Sequence, residues 1–177
     1  MKFAILILSL FIATLNVNGQ NDSTPKTGAF VIRKDFYDKM PNQNKIVCDF
    51  TKTLSTSQLV ILDTIWTKFY KTSKKGIATA ILDSGRISEK DFYSFAEAMY
   101  QSWTMINDRD AMYIIVSPEL KRVRIFINDG IKKYLPEENI QQIISNIITT
   151  KFKNGHFFEG VKEGMEEIIR IIKRNGG

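Results

Sequence analysis

Residues 111–127, AMYIIVSPELKRVRIFI, carry the clearest indication of how this chain folds. The run at 111–116 is apolar throughout, which is typical of a strand covered on both faces. Residues 117–120 contain Ser and Pro and predict a turn. Residues 121–127 then alternate between apolar and polar side chains, which predicts a strand with one wetter face. Because so short a turn joins antiparallel neighbours, the stretch predicts an antiparallel pair of strands.

The segments before this pair extend the predicted sheet. Residues 77–82 are a second apolar run, separated from 111–116 by a predicted helix at 88–103. A longer helix is predicted to begin at Ser55 or Ser57. Strands joined through a helix lie parallel. The inward side chains recur at steps of three and four: Leu59, Leu62, Ile65, Trp66, Phe69 and Tyr70 in the longer helix, and Phe92, Phe95, Ala96, Met99, Tyr100 and Trp103 in the other.

Two more helices are predicted after the strand pair. Pro136 suits the first turn of one, in which isoleucines recur at helical spacing as far as Ile148. The last helix is predicted from 157 to 173, with apolar side chains on one side. The order of the elements predicts an α/β fold, a three-layer α/β/α sandwich on a small mixed sheet.

The amino-terminal residues predict export. The apolar run at 3–15 is about 13 residues long, whereas a helix needs about 20 to cross a bilayer. We expect residues 1–19 to be a cleaved signal peptide, residues 20–45 a tail or strap, and residues 46–177 the folded domain. We therefore expect a periplasmic or secreted protein with no transmembrane span after cleavage.

Charge and cysteine content narrow the possible functions. The net charge is +6 at pH 7, and loss of Lys2 with the signal peptide leaves about +5. The positive side chains are scattered among acidic ones, whereas nucleic-acid binders gather them on one face. We therefore expect no nucleic-acid partner. Cys48 is the single cysteine of the chain, which excludes an internal disulfide.

Acidic and amide side chains at the ends of predicted elements are the candidate site residues. Asp49 precedes the longer helix, and Asp108 and Asp110 precede an apolar strand. Asn128 and Asp129 follow the alternating strand. Oxygen ligands that converge from loops suit Ca²⁺ or Mg²⁺. Taken singly, however, each is more often a turn or a helix cap. The sequence contains no phosphate loop, nucleophile elbow or helical zinc-binding pair.

Several segments, taken in order, resemble the TPM domain family over about residues 46–173. The matching features are VCDF at 47–50 followed by Leu54-Ser55, Trp103 late in a helix, the acidic loop running into an apolar strand at 108–116, the basic strand KRVRI at 121–125, and the closing segment FKNGHFFEGV at 152–161.

The resemblance implies an exported α/β/α sandwich whose cleft is lined by the acidic loop and the strand of Arg124. It implies a metal site for Ca²⁺ or Mg²⁺ at Asp49, Asp108 and Asp110. It also implies ligand binding at Arg124, Asn128 and Asp129.

Known members of the family include a phosphatase-like protein of the thylakoid lumen, a photosystem repair factor and a receptor accessory protein. The resemblance therefore leaves two hypotheses. The first is a non-catalytic accessory or assembly factor for an envelope protein or complex. The alternative is a weak, divalent-metal-dependent, acid-phosphatase-like hydrolase of phosphomonoesters, in which Arg124 holds phosphate oxygens. Ala111 and Asn128 stand where the family commonly has glycines beside the site. These two departures favour the first hypothesis.

Overall fold

The computed structural model of the chain describes residues 34–41, 43, 45–103 and 110–176. The predicted signal peptide and Asp108 of the predicted metal set lie outside the described residues. In chain order the elements are α1 (Lys34–Tyr37), β1 (Val47–Asp49), α2 (Thr56–Ser73), β2 (Gly76–Ile81), a 3₁₀ turn (Glu89–Asp91), α3 (Phe92–Trp103), β3 (Ala111–Ser117), β4 (Arg122–Ile127), α4 (Asp129–Lys132), α5 (Glu137–Gln142), a π-helical segment (Ile143–Ile148), α6 (Thr149–Lys153) and α7 (Phe157–Arg174).

The four strands form one mixed sheet in the order β1-β2-β3-β4. The first three strands are parallel, and β4 runs antiparallel to β3. Asp49 lies opposite Ile81, and Gly76 lies opposite Ala111. The predicted antiparallel pair and the predicted parallel crossover through α3 are therefore both confirmed.

The sheet separates two hydrophobic cores. In β3 the side chains of Met112, Ile114 and Val116 join the core that contains α2 and α7. Tyr113 and Ile115, which alternate with them, join the core that contains α3. A strand buried on both faces is expected to be apolar throughout, as β3 is. The predicted α/β/α sandwich on a small mixed sheet is confirmed.

Helix α2 begins at a complete capping box. The Gln58 N–H donates to the Ser55 hydroxyl at 3.2 Å, and the Ser55 N–H donates to the Gln58 side chain at 2.9 Å. Ser55, rather than Ser57, is thus the cap. The predicted inward stripe is confirmed at Trp66 and its buried neighbours, but Tyr70 is 50% exposed. Tyr70 lies in the last turn of α2, at the rim of the cleft described below.

The described part of the predicted tail packs on α3. The ring of Phe36 meets that of Phe95 edge to face, with centroids 5.3 Å apart. The indole N–H of Trp103 donates to the carbonyl of Pro41 at 3.1 Å. Phe36 is buried. Residues 34–41 therefore contribute an aromatic side chain and a backbone acceptor to the α3 core.

The π-helical segment and α7 approach each other closely. A Cβ atom placed on Gly164 of α7 would lie 2.7 Å from Cγ1 of Ile148, which belongs to the π-helical segment. Glycine is therefore required for the observed spacing of these two helices. No helix in the described part of the chain is long and apolar enough to cross a membrane.

Candidate functional site

The predicted site residues are divided between the two ends of the strands. Asp49 ends β1, at the carboxyl edge of the parallel sheet. Asp110 precedes β3, and Asn128 and Asp129 follow β4, so all three lie at the amino edge. Arg124 lies within β4, in register with Ile115. The structure thus brings Asp110, Asn128 and Asp129 to one edge and leaves Asp49 at the other.

The Asp49 carboxylate organises the loop that follows β1. Its Oδ1 accepts the N–H of Thr51 at 2.9 Å, the hydroxyl of Thr51 at 2.6 Å and the N–H of Lys52 at 3.1 Å. Its Oδ2 accepts the N–H of Leu54 at 3.1 Å. An Asp side chain that accepts hydrogen bonds from the next few residues is a turn-forming side chain.

Asp49 is too far from Asp110 to share a metal ion with it. Asp49 is in register with Ile81, whereas the Asp110 carbonyl accepts the N–H of Gly76 at 2.8 Å. The five residue-to-residue steps along β2 from Gly76 to Ile81 span about 16 Å at about 3.3 Å per residue. Two ligands of one Ca²⁺ lie within about 5 Å of each other. The predicted metal set therefore cannot include both residues, because they lie at opposite edges of a parallel sheet.

A stack of side chains connects Arg124 to the amino edge. The Arg124 guanidinium lies 5.3 Å from the ring centroid of Phe126. That ring stacks on Tyr100 with centroids 4.6 Å apart and planes within 4° of parallel. The Tyr100 hydroxyl donates to Oδ1 of Asn128 at 2.7 Å. Arg124 and Asn128 therefore lie at opposite ends of one stack, about 13 Å apart along β4.

The Tyr100 hydroxyl is held in its protonated form. Burial raises its pKa, and the carboxylates of Glu97 and then Asp129 raise the pKa further. A protonated hydroxyl is a hydrogen-bond donor, as its contact with Asn128 requires. In this arrangement Tyr100 positions the Asn128 side chain rather than acting as a base.

The acidic residues of the amino edge are close to lysines. Asp129 begins α4 and accepts from Nζ of Lys132 at 2.7 Å, with its side chain 92% exposed. The side chain of Tyr134 and, less strongly, the Asp110 carboxylate raise the pKa of Lys133. Oxygen donors of this kind suit Mg²⁺ or Ca²⁺. Within the described residues, however, no three Asp, Glu, His or Cys side chains are grouped closely enough to hold a metal ion.

A cleft of about 310 Å³ opens at the same amino edge. Four aromatic residues line it: Trp66 and Tyr70 of α2, Trp103 of α3 and Tyr113 of β3. They come from both helical layers and from the sheet. They meet beside the first residues of β2, which β1 does not cover because its pairing begins with Val47 opposite Thr79. Binding sites for small ligands and side chains are commonly apolar, aromatic clefts of at least about 300 Å³.

The cleft was not predicted from the sequence. Trp66 and Trp103 were predicted as core residues, and both are at least nine-tenths buried. Their helical spacing is the same whether a buried ring packs only on its neighbours or also lines an opening. Gly76, which contributes no side chain at the mouth of the cleft, is the one signal that could have indicated it.

Comparison with known proteins places the chain in a family. The sheet, its two helical layers and the aromatic cleft define an α/β/α sandwich domain with a candidate site at the amino edge. A family model described as the TPM domain matches residues 47–171. The chain belongs to the TPM domain family. None of the curated proteins compared with it matches.

Three solved structures share the fold. The N-terminal domain of a protein from P. gingivalis is 20% identical, with a TM-score of 0.63 over 79% of this chain and 87% of that one. The BA42 protein of the psychrophilic bacterium Bizionia argentinensis is 22% identical, with a TM-score of 0.57 over 71% of this chain and 86% of that one. The N-terminal domain of the cg2496 protein of Corynebacterium glutamicum is 12% identical, with a TM-score of 0.55 over 80% of this chain and 86% of that one. At these identities the likeness concerns the fold alone.

Proposed function

We propose that this TPM domain is an exported, non-catalytic accessory or assembly factor that binds another protein of the cell envelope. The amino-edge cleft is the observation that carries the proposal. Aromatic side chains are the residues most enriched where proteins bind each other tightly, because they bury a large area at a low cost in conformational entropy. Tyr70 is half exposed at the rim of the cleft, where a partner can reach it.

The placement of the acidic residues supports the same proposal. Catalysis by a metal-dependent hydrolase needs several oxygen ligands around one ion. Asp49 is committed to its turn at the opposite edge, and Arg124 is stacked on Phe126. Both residues assigned by resemblance to metal and phosphate binding thus have contacts within the fold itself, which supports the non-catalytic role. Export is supported by the short apolar run at 3–15.

Site-specific photo-crosslinking in the producing cell tests the proposal. With a photoreactive benzoylphenylalanine in place of Tyr70, we expect one predominant crosslinked adduct to an envelope protein. The matched control is the same replacement at Tyr93, which is 53% exposed on α3 and does not line the cleft. Adducts of equal yield and identity from both positions, or none from Tyr70, would contradict binding at the cleft.

The alternative proposal is a weak, divalent-metal-dependent phosphomonoester hydrolase with its site at the amino edge. It is favoured by the shared location of Asp110, Asn128 and Asp129 at that edge. Asp108 precedes Asp110 by two residues in the chain. Ca²⁺ or Mg²⁺ would then raise the melting temperature, because an ion that binds only the folded state stabilises it by about 2.7 kcal/mol at a hundredfold excess over Kd.

The Asp108→Asn/Asp110→Asn double variant is expected to abolish that shift in thermal melts. Asp49→Asn is the control, since Asp49 lies at the other edge of the sheet, and it should retain the full shift despite a weakened loop. A wild-type melting temperature that does not respond to either ion would rule out this alternative and leave the accessory role unaffected.

A further inference from the structure

We propose that the interhelical groove between α7 and the helix at 137–153 binds the carboxyl-terminal end of another protein chain. The terminal carboxylate lies against arginines, and the last peptide groups lie against side-chain amides. The groove shares no lining residue with the amino-edge cleft, and the structure describes every residue that lines it. It is therefore a second surface, whose role does not depend on the first. Its shape, its unused hydrogen-bonding groups and its charge carry the proposal.

The interhelical groove opens beyond the point where a glycine brings the two helices together. Nearer the turn at 154–156, a Cβ atom on Gly164 of α7 would come within 2.7 Å of Ile148. From 165 to 174, α7 contains no glycine, and a groove of about 240 Å³ lies beside this part of the helix. The apolar part of its lining is Ile143, Ile147 and Ile171. Pockets for whole small molecules commonly exceed about 300 Å³, so the groove suits a short segment of a chain.

Polar side chains of both helices line the groove. They are Asn139, Gln142 and Asn146 from the first helix and Glu167, Arg170 and Arg174 from α7. Residues three or four apart share one face of a helix, as the three amides do. Because a short turn joins the two helices, they run antiparallel, and Arg174 lies toward the Asn139 end of the groove.

One wall of the groove is not an ordinary α-helix. Residues 143–148 are π-helical, and the N–H of Thr149 donates to the carbonyl of Ile144, five residues earlier. Three residues of this segment line the groove. Runs of π-helix are rare and frequently occur at functional sites. The backbone of this wall is therefore a second indication that the groove has a role.

The amide side chains have hydrogen-bonding groups that the fold does not use. Neither Asn139 nor Gln142 forms a side-chain hydrogen bond with any residue that the structure describes. Asn146 uses its Oδ1, which accepts the Ser145 hydroxyl at 3.0 Å, and its NH₂ group is left over. An Asn or Gln amide has a carbonyl acceptor and NH₂ donors, which match the N–H and C=O of a peptide group. Amides along one helix face therefore suit the peptide groups of an extended segment.

The arginines give the groove an excess of positive charge. Arg170 donates through Nε and Nη2 to the two carboxylate oxygens of Glu167, at 2.6 Å each. These hydrogen bonds, together with the charges of Arg170 and Arg174, lower the pKa of Glu167. Arg174 is exposed and forms no ion pair with any residue that the structure describes. Two guanidinium groups and one carboxylate leave one positive charge, and a guanidinium binds a carboxylate through two parallel hydrogen bonds.

A chain terminus matches these groups better than an acidic side chain does. A terminal carboxylate is part of the last residue's backbone, so one short segment can meet the arginines and the amides together. The carboxylate of an Asp or Glu projects away from its backbone, which draws the peptide groups away from the amides when the acid reaches the arginines. The single negative charge of a terminus also complements the single positive charge of the groove. Capture of a terminal carboxylate is a recurring mode of peptide recognition.

Titration of the ¹⁵N-labelled protein with short peptides tests the proposal by NMR. The probe is acetyl-Gly-Ala-Val with a free carboxylate, and its matched control is the same peptide with a carboxamide terminus. We expect the free acid to shift the side-chain NH₂ signals of Asn139, Gln142 and Asn146. It should bind at least about tenfold more tightly than the control, because the control cannot form the charged hydrogen bonds to arginine.

A third peptide distinguishes a chain terminus from an acidic side chain. Acetyl-Gly-Asp-Val with a carboxamide terminus carries its single carboxylate on the Asp side chain and should bind about as weakly as the first control. The proposal is overturned if the free acid leaves the three NH₂ signals unmoved, or if either carboxamide peptide binds as tightly as the free acid.

Matched protein variants assign the contributions of individual side chains. Arg174→Gln is expected to weaken binding of the free acid about tenfold. Lys173→Gln removes the same charge from an exposed neighbour that does not line the groove, and it should change binding less than about twofold. Gln142→Met removes an amide at similar size and should weaken binding about three- to tenfold. Equal effects of Arg174→Gln and Lys173→Gln would contradict recognition in the groove.

The result at the groove is separate from the result at the amino-edge cleft. A Tyr70 crosslink in cells that persists in the Arg174→Gln variant, together with no binding of the free acid, would leave the accessory role standing and refute carboxylate recognition alone.

Discussion

Replacement of Trp66 with alanine is expected to lower the free energy of unfolding by about 3–5 kcal/mol. The side chain is fully buried between α2 and the sheet, and its indole N–H donates to the hydroxyl of Thr79 at 2.9 Å. The substitution removes a large apolar side chain and leaves a cavity. It also leaves the Thr79 hydroxyl, which is fully buried, without this partner. Urea denaturation with linear extrapolation measures the change.

Tyr70→Ala is the control for this substitution. Tyr70 lies one turn further along the same helix and is half exposed, so its loss should cost less than about 1 kcal/mol. A loss of less than about 1 kcal/mol for Trp66→Ala would mean that the inner face of α2 is not packed on the sheet as described. Trp66→Ala therefore tests the stability of the domain. Tyr70→Ala changes the rim of the cleft at little cost in stability, so an effect of this variant on binding can be assigned to the rim.

The fold could be predicted from the sequence because most of its elements have strong periodicity. The alternation at 121–127 specified β4, and the apolar run at 111–116 specified a strand covered on both faces. By contrast, β1 has three residues and was not located by its pattern, since three residues are too few to show a period. The π-helical segment has isoleucines at ordinary helical spacing, so nothing in its pattern separates it from an α-helix.

The candidate site was predicted less well, and the unlocated β1 is the main reason. Once β1 is known to end at Asp49 and β3 to begin at Ala111, parallel strands place Asp49 and Asp110 at opposite edges. The family resemblance alone could not show that Asp49 and Asp110 lie at opposite edges. It matched motifs by their order along the chain, which does not give their positions in the folded domain. The cleft depends on the same feature, because β1 is too short to cover the first residues of β2. Apart from Gly76, no residue in the sequence indicates this.

The effect of Gly164→Ala on the free energy of unfolding is expected to depend on residue 148: the substitution should destabilise the wild-type chain and stabilise an Ile148→Ala variant. In the wild-type chain the new Cβ would lie 2.7 Å from Cγ1 and 2.8 Å from Cδ1 of Ile148, which is itself buried. Alanine favours a helix over glycine by about 1 kcal/mol, whereas overpacking a core costs about 1–3 kcal/mol. Because Cγ1 is bonded directly to Cβ, Ile148 cannot move it away without leaving its rotamer. We therefore expect a net loss of stability of about 1–2 kcal/mol.

In an Ile148→Ala background both of the close atoms are absent, and only the helix preference of alanine remains. Gly164→Ala should then raise the free energy of unfolding by about 1 kcal/mol, so a double-mutant cycle should give a coupling of about 2–3 kcal/mol. Gly155→Ala is the control, because Gly155 has φ of +78° with open space around its Cβ position. Its cost of about 1–2 kcal/mol comes from the backbone and should be equal in both backgrounds. If Gly164→Ala has the same effect with and without Ile148, then α7 does not approach the π-helical segment as closely as described.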